Sequence, residues 1–468
     1  MDKVLASPEE AVADIADGSS VAVGGFGLSH RFPSSLIVAL RDRGSKDLCV
    51  VCNGLGQPGY PTAHLLAENH QVSTLIASFS ARPGAVSEAE RQITAGELAV
   101  EMVPQGTLVE RMRAGGAGIA AFYTPTGVGT DVAAGKEIRD FGGRPHVLES
   151  AIRVDYTLLR GFRADRMGNV QMRGGSRNFN VSFAKAARVA IVEVEEIVEV
   201  GELSPESIDL PGIFVSRVVA TTISMDVHSL PRRVSRGANS ARSYNSKEAL
   251  TRAQVAERAA NLLEEGSYVN LGTGIPTLVS NFLGGRDVVL HSENGILGYG
   301  GFVEGEDIDP DVHDAGGWFV SLNPGAAFFE SVTSFEMARS GRLGAVILGG
   351  YQVGARGDLA NWITPERVGG GIGGAMDLAA GARRLIVTME HCDSRGRPKL
   401  VNACSYPLTA PERVDVVVTD LALLERGSGA FRLLEVAAGF SVEEVVALTE
   451  MPVEVTGRVG TMQDALSG

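Results

Sequence analysis

The chain begins twice. Asp17-Gly18-Ser19-Ser20-Val21-Ala22-Val23-Gly24-Gly25-Phe26-Gly27 has a counterpart in Glu265-Gly266-Ser267-Tyr268-Val269-Asn270-Leu271-Gly272-Thr273-Gly274. Each is followed by a proline, Pro33 or Pro276, placed to open a helix. Asp47 to Asn53 matches Asp287 to Glu293, and Val103-Pro104-Gln105-Gly106 matches Asn323-Pro324-Gly325-Ala326. Ala187 to Glu193 matches Ala382 to Thr388. One match is within the reach of chance; a series in the same order in both halves implies a duplicated unit. In each unit, β-branched apolar runs alternate with helical patterns. That predicts an α/β fold: two related α/β domains with mainly parallel sheets, packed face to face. The expected boundaries are 1–220, a linker at 221–247 where composition turns to Ser, Arg, Asn, Gly and Pro, and 248–468.

Composition narrows the function classes. The formal net charge of −14 and the lack of a basic face argue against a nucleic-acid partner. No apolar run is long enough to span a bilayer, and Met1 to Ala6 has neither signal-peptide nor transit-peptide layout, so a cytoplasmic protein without a membrane partner is expected. Cys49 and Cys52 form a C-x-x-C, but inside a strand-like run, so they are expected to be buried thiols and not a redox pair. Residues 7–18 read as a short amphipathic helix and 114–135 as a Gly-rich surface loop. Arg232, Arg233, Arg236 and Arg242, the one basic cluster, are expected in solvent. No metal, nucleotide or nicotinamide site is implied, since the Gly-rich turns lack the acidic residue of a dinucleotide fingerprint.

The candidate chemistry sits at matching strand ends. Val288-Val289-Leu290 reads as a buried strand, breaking into Ser292-Glu293-Asn294-Gly295. A carboxylate is thereby placed at a strand end, where α/β sheets hold ligands. The matching place in the first half carries Asn53. Gly24-Gly25-Phe26-Gly27, between a strand and a helix, offers backbone N–H groups for an anion or oxyanion. Two such domains facing each other would form an interdomain site.

These motifs, with Thr124 to Thr130, Arg177-Asn178-Phe179-Asn180, Gly357 to Trp362 and Gly373-Gly374-Ala375-Met376-Asp377, resemble family I CoA-transferases of the succinyl-CoA:3-ketoacid type, with both subunits fused. The resemblance implies that Glu293 attacks an acyl-CoA and becomes a glutamyl-CoA thioester. It implies that Asn53 and Gln105 stabilise the oxyanion, and that Gly374 and Ala375 line the pocket; Asn294 and Gly24 to Gly27 complete the expected substrate site. Coenzyme A enters as substrate and covalent intermediate, not as a resident cofactor. The partners implied are an acyl-CoA, a carboxylic acid, and a second copy of the chain in a homodimer. The chain departs from the family at residues 29–33, 54–61 and 78–84, which leaves the accepting acid open. His30 or Arg31 is a candidate cation for the acid's carboxylate. The competing expectations are a hydrolase of a CoA thioester or of a cyclic 3-oxoacyl-CoA, and a non-catalytic CoA-binding regulator. Retention of Glu293 favours transfer.

Overall fold

The computed structural model describes residues 2–27, 31–80, 86–224, 239–365 and 369–466. Two sheets organise it. The first runs, in spatial order, Arg217–Ala220, Ala187–Val198, Val154–Asp165, Ser20–Val23, Leu48–Gly54, Val72–Phe79 and Ala99–Met102. Every neighbouring pair along that path is parallel. Val21, Ala22 and Val23 are buried on both faces, as strands must be when helices cover both sides of a parallel sheet.

The second sheet repeats this core and changes its flanks. Val288–Ser292, Ser267–Leu271, Ala345–Gly349, Leu385–Met389 and Val416–Thr419 are parallel neighbours. Antiparallel strands are added at both sides, Ile296–Phe302 and Val320–Phe328 at one, Ala422–Arg426 and Phe431–Val436 at the other. The duplication holds at the level of register. Ser20, Val21 and Ala22 face Cys49, Val50 and Val51; their sequence counterparts Tyr268, Val269 and Asn270 face Val289, Leu290 and His291.

One sequence match does not survive. Gln105 opens the helix Gln105–Gly116, whereas Asn323 and Pro324 lie inside the strand Val320–Phe328. The second half inserts two antiparallel strands before its own helix, Ser331–Arg339, so the Pro-centred resemblance is accidental. Other expectations shift locally. The first helix is only Pro8–Ala11, capped by the Ser7 hydroxyl, which accepts the Glu10 N–H at 3.3 Å. Within 114–135, Ala121–Thr124 is a strand paired with Arg144–Ser150. In the stretch expected as a linker, Ala241–Tyr244 forms a hairpin with Lys247–Thr251; residues 225–238, with Arg232, Arg233 and Arg236, lie outside the described residues. Cys49 and Cys52 stand three residues apart on one strand and therefore point to opposite faces; burial pushes the Cys52 thiol up to about 12.

The halves meet through both apolar and polar contacts. Val332 and Phe335 of the second half belong to the same apolar cluster as Leu108, Phe179 and Phe183 of the first. Beside them, the buried carboxylate of Asp377 accepts the Gly106 N–H at 2.9 Å and the Thr126 hydroxyl at 3.0 Å, with Arg339 at 3.5 Å. A buried carboxylate with three partners across an interface fixes the relative position of the two sheets. No helix among the described residues is long and apolar enough to cross a membrane.

Candidate active site

Glu293 sits at the tip of a tight turn. The Val288–Ser292 strand ends there, and Gly295 donates its N–H to the Ser292 carbonyl at 3.0 Å, reversing the chain into Ile296–Phe302. Gly295 has φ +104°, and a Cβ placed on it would stand 1.9 Å from the Phe329 carbonyl oxygen, so only glycine fits. The Ser292 hydroxyl donates to the Asn294 amide oxygen, and the Asn294 amide donates to the His313 carbonyl at 2.7 Å. Three residues of the tetrapeptide thus build the turn, and the fourth is presented by it.

The Glu293 carboxylate is buried and, among the described residues, has one side-chain donor, the Asn270 amide, 3.1 Å from Oε2. The same amide nitrogen lies 3.0 Å from His291 Nδ1 and 3.1 Å from the His291 carbonyl. His291 Nε2 meets the Ser334 hydroxyl at 2.8 Å, and that hydroxyl donates to the Ser292 carbonyl. Burial holds His291 down at about 4, so the ring is neutral near pH 7. Burial also raises the Glu293 pKa, opposed by the Asn270 hydrogen bond. The result is a desolvated carboxylate with no cation within ion-pair distance among the described residues, more basic and more nucleophilic than one in water.

Glu293 opens into a cavity of about 510 Å³. Its walls come from the C-terminal ends of the parallel strands: Gly272 to Gly274, Glu293, Leu348 to Gly350, and Thr388 to Glu390. This is where the strand order of an α/β sheet leaves room for a ligand. Gly371 to Ala375 and, from the first half, Phe79 complete the wall near Glu293. Gly374 and Ala375 line the same cavity as Glu293. Gln105 stands behind this wall, and neither it nor Asn53 lines the cavity: its backbone N–H donates to the Gly373 carbonyl at 2.9 Å, and its side-chain amide donates to Asn53 Oδ1 at 2.8 Å. Gln105 and Asn53 are a buried amide pair, and Gln105 Oε1 finds no partner among the described residues.

Other expected site residues are placed differently. Gly24 packs under Asn180, whose Oδ1 would lie 2.0 Å from any Cβ there. Phe26 is buried, its ring stacked 6.2 Å from Phe179 and equally far from His313. Gly25 and Gly27 belong to the same turn, and none of residues 24–27 lines the cavity. The Asn294 side chain is consumed by the turn. Arg31 is not a cation awaiting substrate: it is buried, paired with Asp311 of the second half and Glu195 of the first. His30 and residues 81–85 lie outside the described residues. Arg242, expected in solvent, lines the cavity.

Sequence reasoning missed Asn270, and it read His291 as a half-buried strand residue with no part as a base; the ring is fully buried. Their signal was present: they are the polar residues of the second repeat where the first has Ala22 and Val51.

Comparison with known proteins shows the family. The coenzyme A transferase family model matches residues 5–221 and 252–448. The chain belongs to that family. It is 42% identical to the mitochondrial succinyl-CoA:3-ketoacid coenzyme A transferase 2A of Rattus norvegicus, over 99% of this chain and 92% of that protein. The human mitochondrial transferase 2 is 41% identical over 98% of this chain and 92% of its own length. A separate subunit of the Xanthomonas campestris succinyl-CoA:3-ketoacid coenzyme A transferase is 51% identical over 83% of its own length and accounts for only 44% of this chain; this polypeptide covers both subunit regions. An Escherichia coli O157:H7 acyl-CoA transferase, solved as a thioester complex with CoA, shares the fold with TM-score 0.79, at 18% identity over 98% of this chain and 95% of that one.

Proposed function

We propose that this CoA-transferase moves CoA from succinyl-CoA, or a similar acyl-CoA, to a 3-oxo acid, through a covalent intermediate on Glu293. Family membership and the near-full-length identity support the donor and acceptor classes. The observation that carries the mechanism is the buried Glu293 carboxylate lining a cavity to which both halves contribute, held by an amide and not by a cation among the described residues.

A Glu293 oxygen adds to the thioester carbonyl, and the C–S bond breaks to give a mixed anhydride and CoA thiolate. The thiolate adds to the glutamyl carbonyl; the glutamyl C–O bond breaks, leaving glutamyl-CoA thioester and the first free acid. The acceptor carboxylate then repeats both steps in reverse. Each step conserves charge and none needs a proton, which suits a site whose one neighbouring imidazole is neutral. Asn53 and Gln105 are the proposed oxyanion donors; amide donors stabilise developing charge without neutralising the nucleophile. Residues 1–220 supply these amides and 248–468 the nucleophile, in a chain expected to form a homodimer. Water exclusion protects the thioester, which a buried Glu293 favours.

Intact-mass spectrometry after mixing with succinyl-CoA and no acceptor tests this. A CoA-sized adduct, sensitive to hydroxylamine and borohydride and absent in Glu293→Ala, is expected. Sustained release of CoA without an adduct would instead establish a hydrolase.

A further inference from the structure

We propose that Arg242, Arg252 and Lys399 form the anion site that takes the phosphates of the acyl-CoA nucleotide. This rests on the transferase reading above and extends it to the half of the substrate that does not react.

The cavity that begins at Glu293 ends among these three cations. They come from separate elements: Arg242 from the hairpin strand Ala241–Tyr244, Arg252 from the first position of the helix Arg252–Ala260, and Lys399 from the residue before Leu400–Val401. Among the described residues, the carboxylates around them are Glu390, Asp420 and Asp393, with Glu450 beside Lys399 in an adjoining pocket. Glu390 accepts Arg252 Nε at 2.8 Å and has Lys399 Nζ at 3.9 Å. Asp420 is occupied by the Tyr244 hydroxyl at 2.9 Å and the His391 N–H at 2.6 Å. Asp393 is paired with a fourth cation, accepting Arg397 Nε at 2.7 Å. Arg242 donates to the Cys392 carbonyl at 3.0 Å and forms no ion pair with a carboxylate among the described residues. Among the described residues that line this end of the cavity, Arg242, Arg252 and Lys399 stand with Glu390 and Asp393, and Arg242 is the cation without a carboxylate partner. Lys399 is also largely buried, and burial holds its ammonium down at about 8. A buried cation with an incomplete counter-charge is costly alone and recovers that cost when an anion arrives.

The spacing fits. Glu293 follows the strand Val288–Ser292 and Glu390 follows Leu385–Met389, with Ser267–Leu271 and Ala345–Gly349 between them. Three inter-strand steps of about 4.8 Å separate the two ends by ~14 Å. From the thioester sulfur to the first phosphorus, pantetheine has about 13 bonds, or ~15 Å at the ~3.5 Å per three bonds of an extended chain. An extended pantetheine from a thioester at Glu293 is therefore long enough to bring its pyrophosphate to the level of Glu390, beside Arg242, Arg252 and Lys399.

The test compares succinyl-CoA, succinyl-dephospho-CoA and succinyl-pantetheine as donors to acetoacetate, in wild type, Lys399→Ala, Arg242→Ala and the charge-keeping Lys399→Arg. Each charge removal is expected to raise KM for succinyl-CoA about tenfold or more, with kcat retained. Succinyl-pantetheine, lacking the nucleotide, is the internal control: its kinetics should not follow the loss of charge. Lys399→Arg should recover most of the KM, which separates charge from packing. An equal rise of KM for all three donors, or none for succinyl-CoA, overturns the proposal. Calorimetric titration of free CoA against pantetheine reads the same contrast without turnover. The phosphate site is then decided even if the wild type transfers nothing, a result that would count against the transferase reading alone.

Discussion

The same slot in two related sheets has been filled in opposite ways. In the first half, Ala22 and Val51 are apolar neighbours on adjacent strands, and the strand end carries the neutral amide of Asn53. In the second half the register is identical, but the neighbours are Asn270 and His291 and the strand end carries Glu293. The difference follows from what burial demands. An apolar wall tolerates a neutral amide that finds its own partner, here Gln105 at 2.8 Å. A buried carboxylate needs a donor, and a donor that shares three acceptors needs something to hold it. Asn270 is that donor, and neutral His291, itself held by Ser334, orients it. The two halves share the frame; Asn270, His291 and Glu293 set the second strand end, the site of the proposed nucleophile, apart from the first.

The contrast breaks most completely at the proposed nucleophile. Glu293→Gln makes the second strand end resemble the first, and kcat should fall about 10⁴-fold or more, with far-UV circular dichroism and melting temperature close to wild type. On the amide side, Asn53→Ala and Gln105→Ala should each cost on the order of 10²–10³ in kcat. Because the two amides are bonded to each other, the double variant should lose less than the product of the single losses; full additivity would mean that they act separately.

The support around Glu293 is the next target. Asn270→Ala removes the hydrogen bond that opposes the burial-driven rise of the Glu293 pKa. The acid limb of kcat/KM should therefore move to higher pH, with about a tenfold loss in the rate of adduct formation at neutral pH. An unmoved limb would show that Asn270 does not govern ionisation of the nucleophile. The smallest effect concerns stability. Burial holds His291 and His313 at about 4 and His391 at about 3. Their folded pKa values lie below the unfolded value near 6.5, so between these limits the unfolded chain binds more protons. Their contribution to stability should be full above about pH 6.5 and decline as pH falls toward 4, against the opposite contribution of Glu293 and Asp377, whose pKa values burial raises; urea denaturation of His391→Gln beside wild type across that range isolates the histidine part.

Much of this was legible in the sequence because repetition and period survive without tertiary information. The matched strands, their order and the position of Glu293 at a strand end all followed from pattern. The failures have a physical source. Gly24 to Gly27 look like an anion cradle, yet Gly24 is small to admit Asn180, a contact 156 positions away that no local pattern reveals. Arg31 looks like a free cation because its partners, Glu195 and Asp311, are distant in sequence. Asn323-Pro324 imitates a helix entry because a proline inside an antiparallel strand and one before a helix look alike locally. Asn270 and His291 were visible as differences between the repeats, but only the register shows that they touch.

One side chain, at the tip of the second strand end, is held to carry the acyl transfer. Borohydride reduction of the enzyme after exposure to succinyl-CoA, followed by peptide mapping, locates the modified residue directly. Conversion of Glu293 to the corresponding alcohol, within the peptide that spans Val288 to Tyr299, is the expected result. A reduced carboxyl elsewhere, or no reduced residue while transfer proceeds at full rate, would contradict it.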